Sequence, residues 1–193
     1  LGFASTLMPF ALAVSGLWTQ DHRYWMGKAI PWAFFGVAIL GAGILMGGAW
    51  AYEALSFGGF WAWDPVENSS LVPWLVLVAG AHLLLINKAK PGTAVTATYL
   101  MIALGFLLVV YSTFLTKSGI LGDTSVHSFV DSGILPQLLG FLLGCCALLC
   151  TLILPPGRER LVFGACYNLE PTMDRIEMNL DKDTILIKVP VAL

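Results

Sequence analysis

Phe57-Gly58-Gly59-Phe60-Trp61-Ala62-Trp63-Asp64-Pro65-Val66-Glu67-Asn68-Ser69-Ser70-Leu71-Val72-Pro73-Trp74 is the one stretch where aromatics, glycines and acids crowd together between long apolar runs. Gly58 and Gly59 let the backbone turn and let a flat partner come close. Phe57, Phe60, Trp61, Trp63 and Trp74 offer large rigid faces, each able to bury roughly 150–250 Å². Two or three of them cover much of a flat macrocycle. Asp64-Pro65-Val66-Glu67 carries the signature of a helix start. Asp64 can cap, Pro65 suits the first helical position, and Glu67 can close the box onto the cap's own N–H. Two readings fit these residues: a platform for a large planar ligand, or the interfacial aromatic belt of a membrane protein.

The flanks decide the class of protein. Of 193 residues, 58% are hydrophobic and only 11% charged, against about 25% charged in soluble domains. Mean hydropathy is +0.81. The apolar runs approach or exceed the ~18–20 residues that cross a bilayer. This pattern predicts an all-α polytopic membrane protein. The net charge of −2 says nothing about nucleic acid, and no basic patch suggests such a partner. No Gly-x-Ser-x-Gly, His-Glu-x-x-His or phosphate-binding glycine loop is present, which argues against a hydrolase or a nucleotide enzyme. The four cysteines, Cys145, Cys146, Cys150 and Cys166, form no Cys-x-x-Cys and read as small buried hydrophobes.

Five spans are expected, at about Leu1–Trp18, Ala29–Ala51, Leu71–Asn87, Thr93–Leu115 and Ile134–Leu154. Pro9 predicts a kink in the first. Gly36, Gly41, Gly43, Gly47 and Gly48 give the second a small-residue face for close packing. The residue before Pro73 is pushed away from helical geometry, so a short capped helix is expected to end there and the membrane helix to start afresh near Ser69 or Ser70. Residues 1–160 form the predicted transmembrane domain. Residues 161–193 form a more charged tail with a short strand expected over 184–189. Arg23, Lys28, Lys88, Lys90, Arg158 and Arg160 fall on one side of the predicted topology. Glu53, Asp64, Glu67, Asp123 and Asp131 fall on the other, with Lys117 as its one base. The positive-inside rule places the first set in the cytoplasm. The aromatic stretch and the loop carrying His127 then share the external, periplasmic face as one composite site.

Three histidines occupy three levels. His82 lies deep in the third span. It is either a functional ligand, for which a haem iron is a fitting partner, or a neutral imidazole bonded to a neighbouring helix. His127 is either a solvated loop residue or part of the composite site. His22, among charges on the cytoplasmic side, reads as an ordinary surface residue.

At these residues a resemblance emerges. Gly58-Gly59-Phe60-Trp61-Ala62-Trp63-Asp64-Pro65-Val66-Glu67-Asn68 resembles the tryptophan-rich "WWD" segment of the haem-handling proteins of cytochrome c maturation, in the CcmF and NrfE branch. Trp50-Ala51-Tyr52-Glu53 before it, Pro73-Trp74-Leu75 and His82 after it, and Thr113 to Leu121 with Ser125-Val126-His127-Ser128-Phe129 extend the likeness over about residues 1–154. Phe57 stands where the family usually has Trp, and Lys117 where it often has Arg, so the charge is kept without the guanidinium fork. Gly122-Asp123 resembles a small insertion. The family's first external histidine belongs to a stretch upstream of Leu1, so the chain is expected to be the central segment of such a protein.

The resemblance implies a haem lyase component of the inner membrane that presents haem on the periplasmic face. The haem vinyls would form thioethers with the thiols of an apocytochrome c. It implies other cytochrome c maturation proteins as partners. It places Trp61, Trp63 and Asp64 in the haem platform, His127 as an external iron ligand, and His82 as a ligand of a second, membrane-embedded b-type haem. Gly58, Gly59 and Trp74 join the cofactor-binding set through their place in the same stretch. Two other classes fit the apolar bundle: an exporter of haem or another small molecule, and a membrane assembly subunit without haem.

Overall fold

The computed structural model describes residues 1–19, 21–54, 59–121, 125, 133–153, 176–178 and 185–187. Five helices follow in order: α1 Gly2–Thr19, α2 His22–Ala54, α3 Pro65–Ala89, α4 Val95–Lys117 and α5 Leu135–Ile153. A small hairpin, β1 Ile176–Met178 and β2 Ile185–Ile187, pairs antiparallel with Ile176 opposite Ile187. Strand β2 falls within the stretch 184–189 where a strand is expected, and it has a partner.

Four helices, α1 to α4, are long and apolar enough to cross a membrane. The fifth expected span corresponds to α5, an apolar helix of 19 residues. At 1.5 Å per residue it reaches about 28 Å, close to the ~30 Å hydrocarbon core. Helix α2 is longer than the span read from hydropathy. Its 33 residues begin at His22 because the polar turn before Ala29 is helical too, with the Tyr24 N–H donating to Asp21 Oδ1 at 3.0 Å. About 50 Å of helix carries this element past both edges of an apolar core.

The expected break near Pro73 does not occur, since α3 runs without interruption from Pro65 to Ala89. A proline inside a helix removes one N–H and crowds the carbonyl four residues earlier. In a bilayer the alternative is worse, because unwinding a turn exposes several backbone groups at once. In the turns before Pro73, Ser69 Oγ donates to Val66 O and Ser70 Oγ to Glu67 O, each at 2.7 Å. Pro9 is likewise carried inside α1, where Ser5 and Thr6 donate to Gly2 O and Phe3 O.

Packing joins α1 to α2, α2 to α3 and α3 to α4 as the closest neighbours, with α5 against α4 and α1. One core collects Ala13, Leu17, Trp25, Ala29, Ala33, Leu77, Leu84 and Ile102 from the first four helices. A second joins Phe10, Phe106 and Val110 to Leu149 of α5, with the Phe10 and Phe106 rings 4.5 Å apart. Lipid gives apolar side chains no reason to prefer each other, so close fit holds the helices together. At Gly16 a Cβ would stand 2.1 Å from Trp25 Cδ1, and at Gly80 one would stand 2.9 Å from Ile102 Cδ1. Both glycines are occupied by the neighbouring side chain.

Polar ties cross the bundle at the end where α2 starts. His22 Nδ1 lies 2.8 Å from the Tyr99 hydroxyl, with the rings edge to face. The surface reading of His22 is therefore wrong. It is half-buried, and its ring fastens the first turn of α2 to α4. Beside it, buried Asn87 donates to Thr98 Oγ1 at 2.7 Å and to Leu83 O at 3.1 Å.

Candidate functional site

The start of α3 is built as its sequence predicts. Asp64 is the N-cap in extended geometry, Pro65 begins the helix, and the capping box with Glu67 is complete. Asp64 Oδ2 accepts from Val66 N–H at 2.9 Å. Glu67 does more than close the box. Its Oε2 accepts from Ala62 N–H at 2.8 Å as well as from Asp64 N–H at 3.3 Å. One carboxyl group thus fastens the backbone between the two tryptophans. Asn68 adds a bond from its side-chain amide to Trp63 O at 2.9 Å.

Those bonds hold an unusual backbone. Trp63 has φ of 58°, the left-handed region that side chains other than glycine rarely occupy. Gly59, at φ 67°, makes the turn foreseen for the glycine pair. Its companion Gly58 lies outside the described residues. The strained position turns successive tryptophans apart: the Trp61 and Trp63 rings are 6.2 Å between centroids and nearly perpendicular. Trp61 is half-buried, whereas Trp63 is 71% exposed. Phe60 lies on Gly48 of α2, where a Cβ would stand 2.9 Å from its ring and from its carbonyl.

Beneath this segment is a cavity of about 730 Å³. Its walls come from the start of α1, the second half of α2 (Gly43, Gly47, Trp50), Trp61, the first turns of α3 (Glu67, Ser70, Pro73) and the last turns of α4 (Ser112, Thr116, Lys117). The walls are mainly apolar. Glu67 and Lys117 set one acid and one base within them. Ser69 and Ser112 hydroxyls, 3.0 Å apart, tie α3 to α4 at this level.

The other predicted residues separate into distinct places. Trp74 serves the helix contact: its Nε1 donates to Val37 O at 2.9 Å, and its ring lies over Gly41. His82 lies nine residues beyond Pro73, about 14 Å along the axis, and is not part of the cavity wall. It is exposed on the outside of the bundle, with Nδ1 2.7 Å from Val78 O. A carbonyl can only accept, so Nδ1 carries the hydrogen. In the neutral ring Nε2 is then the nitrogen with a lone pair. His127 lies outside the described residues. Ser125, two positions before it, is described and buried, and its Oγ donates to Asp64 Oδ2 at 2.7 Å. This bond places Ser125 beside the cap of α3.

Sequence reasoning assigned no role in the site to Gly43, Gly47, Ser112 or Thr116. Gly43, Gly47 and Trp50 recur at helical spacing on α2, as do Ser112 and Thr116 on α4. That pattern places each set on one face. The glycine face was read as wholly a packing surface, which hid its second half.

Comparison with known proteins agrees with this architecture. The family described as Cytochrome C assembly protein matches residues 1–121. The cytochrome c-type biogenesis protein CcmF of Pseudomonas aeruginosa is 39% identical over 132 residues, which are 68% of this chain and 20% of the relative. The cytochrome c-type biogenesis protein NrfE of Haemophilus influenzae is 38% identical over 130 residues, 67% of this chain and 20% of the relative. The solved structure of the cytochrome c heme lyase CcmF superposes with a TM-score of 0.65 at 30% identity, covering 86% of this chain and 26% of that one. The chain thus spans about one fifth of the length of the curated relatives it matches.

Proposed function

The chain belongs to the Cytochrome C assembly protein family, and from that premise we propose that it acts in cytochrome c maturation as the haem-holding part of a haem lyase. The observation that carries this reading is the cavity of about 730 Å³ under the Trp61–Asp64 segment. Its size falls in the range of small-molecule and cofactor sites, ~300–1,000 Å³, and its apolar walls suit a flat macrocycle. Lys117 in the wall suits a propionate. When bound, haem supplies the vinyl groups to which apocytochrome thiols add.

The chain's own contribution is position. Glu67 fixes the backbone of the tryptophan segment, so the aromatic faces are set before any ligand arrives. Trp61 forms the dry wall, and exposed Trp63 is offered to the outside, where an apocytochrome would approach. Holding two reactants in register is worth several orders of magnitude in rate without any acid or base from the protein. We assign no catalytic acid or base.

In this reading the end with Arg23, Lys88 and Lys90 faces the cytoplasm and the tryptophan segment faces the periplasm across the inner membrane. Residues 1–160 are the haem-handling domain and 161–193 a cytoplasmic tail. His127, two residues after Ser125 in the sequence, is the external iron ligand in this reading, as the family resemblance implies. His82 ligates a membrane b-type haem through Nε2, with Nδ1 already committed to Val78 O. A backbone acceptor on the other ring nitrogen is the usual way of orienting a ligating imidazole.

The test is the pyridine haemochrome spectrum of the detergent-purified protein, compared with Trp61→Ala and with His82→Ala. Trp61→Ala should lower haem occupancy at the external site while leaving membrane insertion intact. In the native absorption spectrum of the full-length protein, which supplies the second ligand, His82→Ala should remove the low-spin b-type signal. Haem content that neither change alters, or a protein without haem at all, would leave an assembly subunit as the better reading.

A further inference from the structure

At the end of the bundle away from the tryptophans, a second cavity of about 510 Å³ opens between the first turns of α2, the last turns of α3 and the start of α4. Its wall is of two kinds. Met26, Ile30 and Leu84 make an apolar floor, while Arg23 and Lys88 stand at the rim with His22. Among the described residues neither Arg23 nor Lys88 has an ion-pair partner. The nearest acid in sequence, Asp21, is engaged as the cap that accepts from Tyr24 N–H. Val95, the first residue of α4, also lines the cavity, and α4 has no side-chain cap. The start of α4 and the end of α3 both reach the cavity, so their dipole ends oppose each other and the two cationic side chains set its charge. Asn87 is fully occupied by its bonds to Leu83, Thr98 and Ala94 N–H. It shapes the site without competing for an anion.

The setting matches the depth of lipid headgroups. Trp18 is 72% exposed and Tyr24 64% exposed at this same end, with Lys28 5.7 Å over the Tyr24 ring. Exposed aromatics with basic neighbours mark the interface of a bilayer. A soluble anion would use the rim and leave Met26, Ile30 and Leu84 wet. An amphiphile with an anionic head uses both surfaces. We propose that this cavity binds the phosphate head of an anionic phospholipid between Arg23 and Lys88, with the first part of an acyl chain along Met26, Ile30 and Leu84. The site is independent of the haem reading and lies at the other end of the helices.

Native mass spectrometry of the detergent-purified protein, given equal amounts of phosphatidylglycerol and phosphatidylcholine with the same acyl chains, tests this. One phosphatidylglycerol per chain should be retained in preference by about tenfold or more, since each well-placed base near a lipid phosphate is worth roughly a factor of five. The double variant Arg23→Gln with Lys88→Gln should retain both lipids equally. Lys90→Gln, at the same end but outside the cavity, should keep the preference. Met26→Trp, which fills the floor and leaves the charges, should lower retention, so the proposal stays testable if the double variant does not fold. Equal retention of both lipids by the parent protein would overturn the assignment. So would a loss in Lys90→Gln as large as in the double variant. Release of phosphatidylglycerol by millimolar inorganic phosphate would mark a soluble-anion site and overturn the lipid.

Discussion

The two halves of α2 carry glycines of similar spacing and opposite purpose. At Gly36 and Gly41 the missing side chains are replaced by neighbours: a Cβ would stand 3.1 Å from Leu77 Cδ2 at the first and 3.0 Å from Trp74 Nε1 at the second. At Gly43 and Gly47 nothing lies within 4 Å, and both line the larger cavity. Gly36 and Gly41 thus close α2 against α3, whereas Gly43 and Gly47 are left open, with their neighbour Gly48 filled by Phe60. Both helices still line the hollow, α2 through Gly43 and Gly47 and α3 through Glu67, Ser70 and Pro73. The boundary is thus set by Trp74, which fastens α3 to Val37 and Gly41 just below the open glycines.

The largest effect is expected where the hollow is filled. Gly47→Leu adds a side chain to open space, so the helices should still pair, and circular dichroism should show unchanged helix content. The volume offered to haem is reduced, and haem occupancy measured by the haemochrome spectrum should fall about tenfold or more, since a misfit of even one ångström in a positioned site costs about 10²-fold. Undiminished occupancy would mean that haem is held elsewhere. The opposite pattern is expected at Gly41→Leu. There the added side chain meets the Trp74 ring, and overpacking of this kind costs about 1–3 kcal/mol. The readout is a lower thermal midpoint in detergent, with the Trp74–Val37 hydrogen bond lost. If Gly41→Leu and Gly47→Leu behave alike, the division of α2 into a packed and an open half is wrong.

A smaller effect should come from Glu67→Gln. The carboxyl group accepts from two backbone N–H groups, and an amide oxygen of nearly the same shape can keep one of them at reduced strength. Loss of helix-capping interactions costs about 0.5–2 kcal/mol. The tryptophan segment should become more accessible to proteolysis between Phe60 and Asp64 while the membrane helices keep their stability. Equal destabilisation of the whole bundle would show that Glu67 supports packing and not the segment.

These cases also mark what could be read from sequence. The capping box was legible because its four residues are contiguous and each satisfies a local backbone group. The helices were legible as apolar runs. The continuity of α3 was not, because the rule for the residue before proline is drawn from chains whose unwound turn can bond to water, and lipid removes that option. The division of the α2 glycines was invisible because periodicity gives a face and not what lies opposite. His22 was misread for the same reason: its charged sequence neighbours hid Tyr99, 77 positions away. The left-handed Trp63 has no sequence signature of its own. It follows from Glu67 and Asn68 binding the backbone on either side of it.

The smallest expected effect is the most informative about the site. Ser125 Oγ donates to Asp64 Oδ2, the same oxygen that accepts from Val66 N–H. Ser125→Ala leaves the cap in place, because Asp64 still accepts from Val66. What is lost is one hydrogen bond to a carboxyl group, about 1.5–3 kcal/mol at the upper end and less where water can replace it. The helices do not depend on that bond, so the thermal midpoint should barely move. The bond joins Ser125 to the cap of the tryptophan segment, so if His127 ligates haem iron as proposed, haem affinity should fall a few-fold. A double-mutant cycle separates this from a general loosening. If Ser125 acts through the proposed ligand His127, then in the His127→Ala background Ser125→Ala should have no further effect on haem affinity. If the two losses add in full, Ser125 and His127 act independently, and the bond to Asp64 orders the tryptophan segment alone.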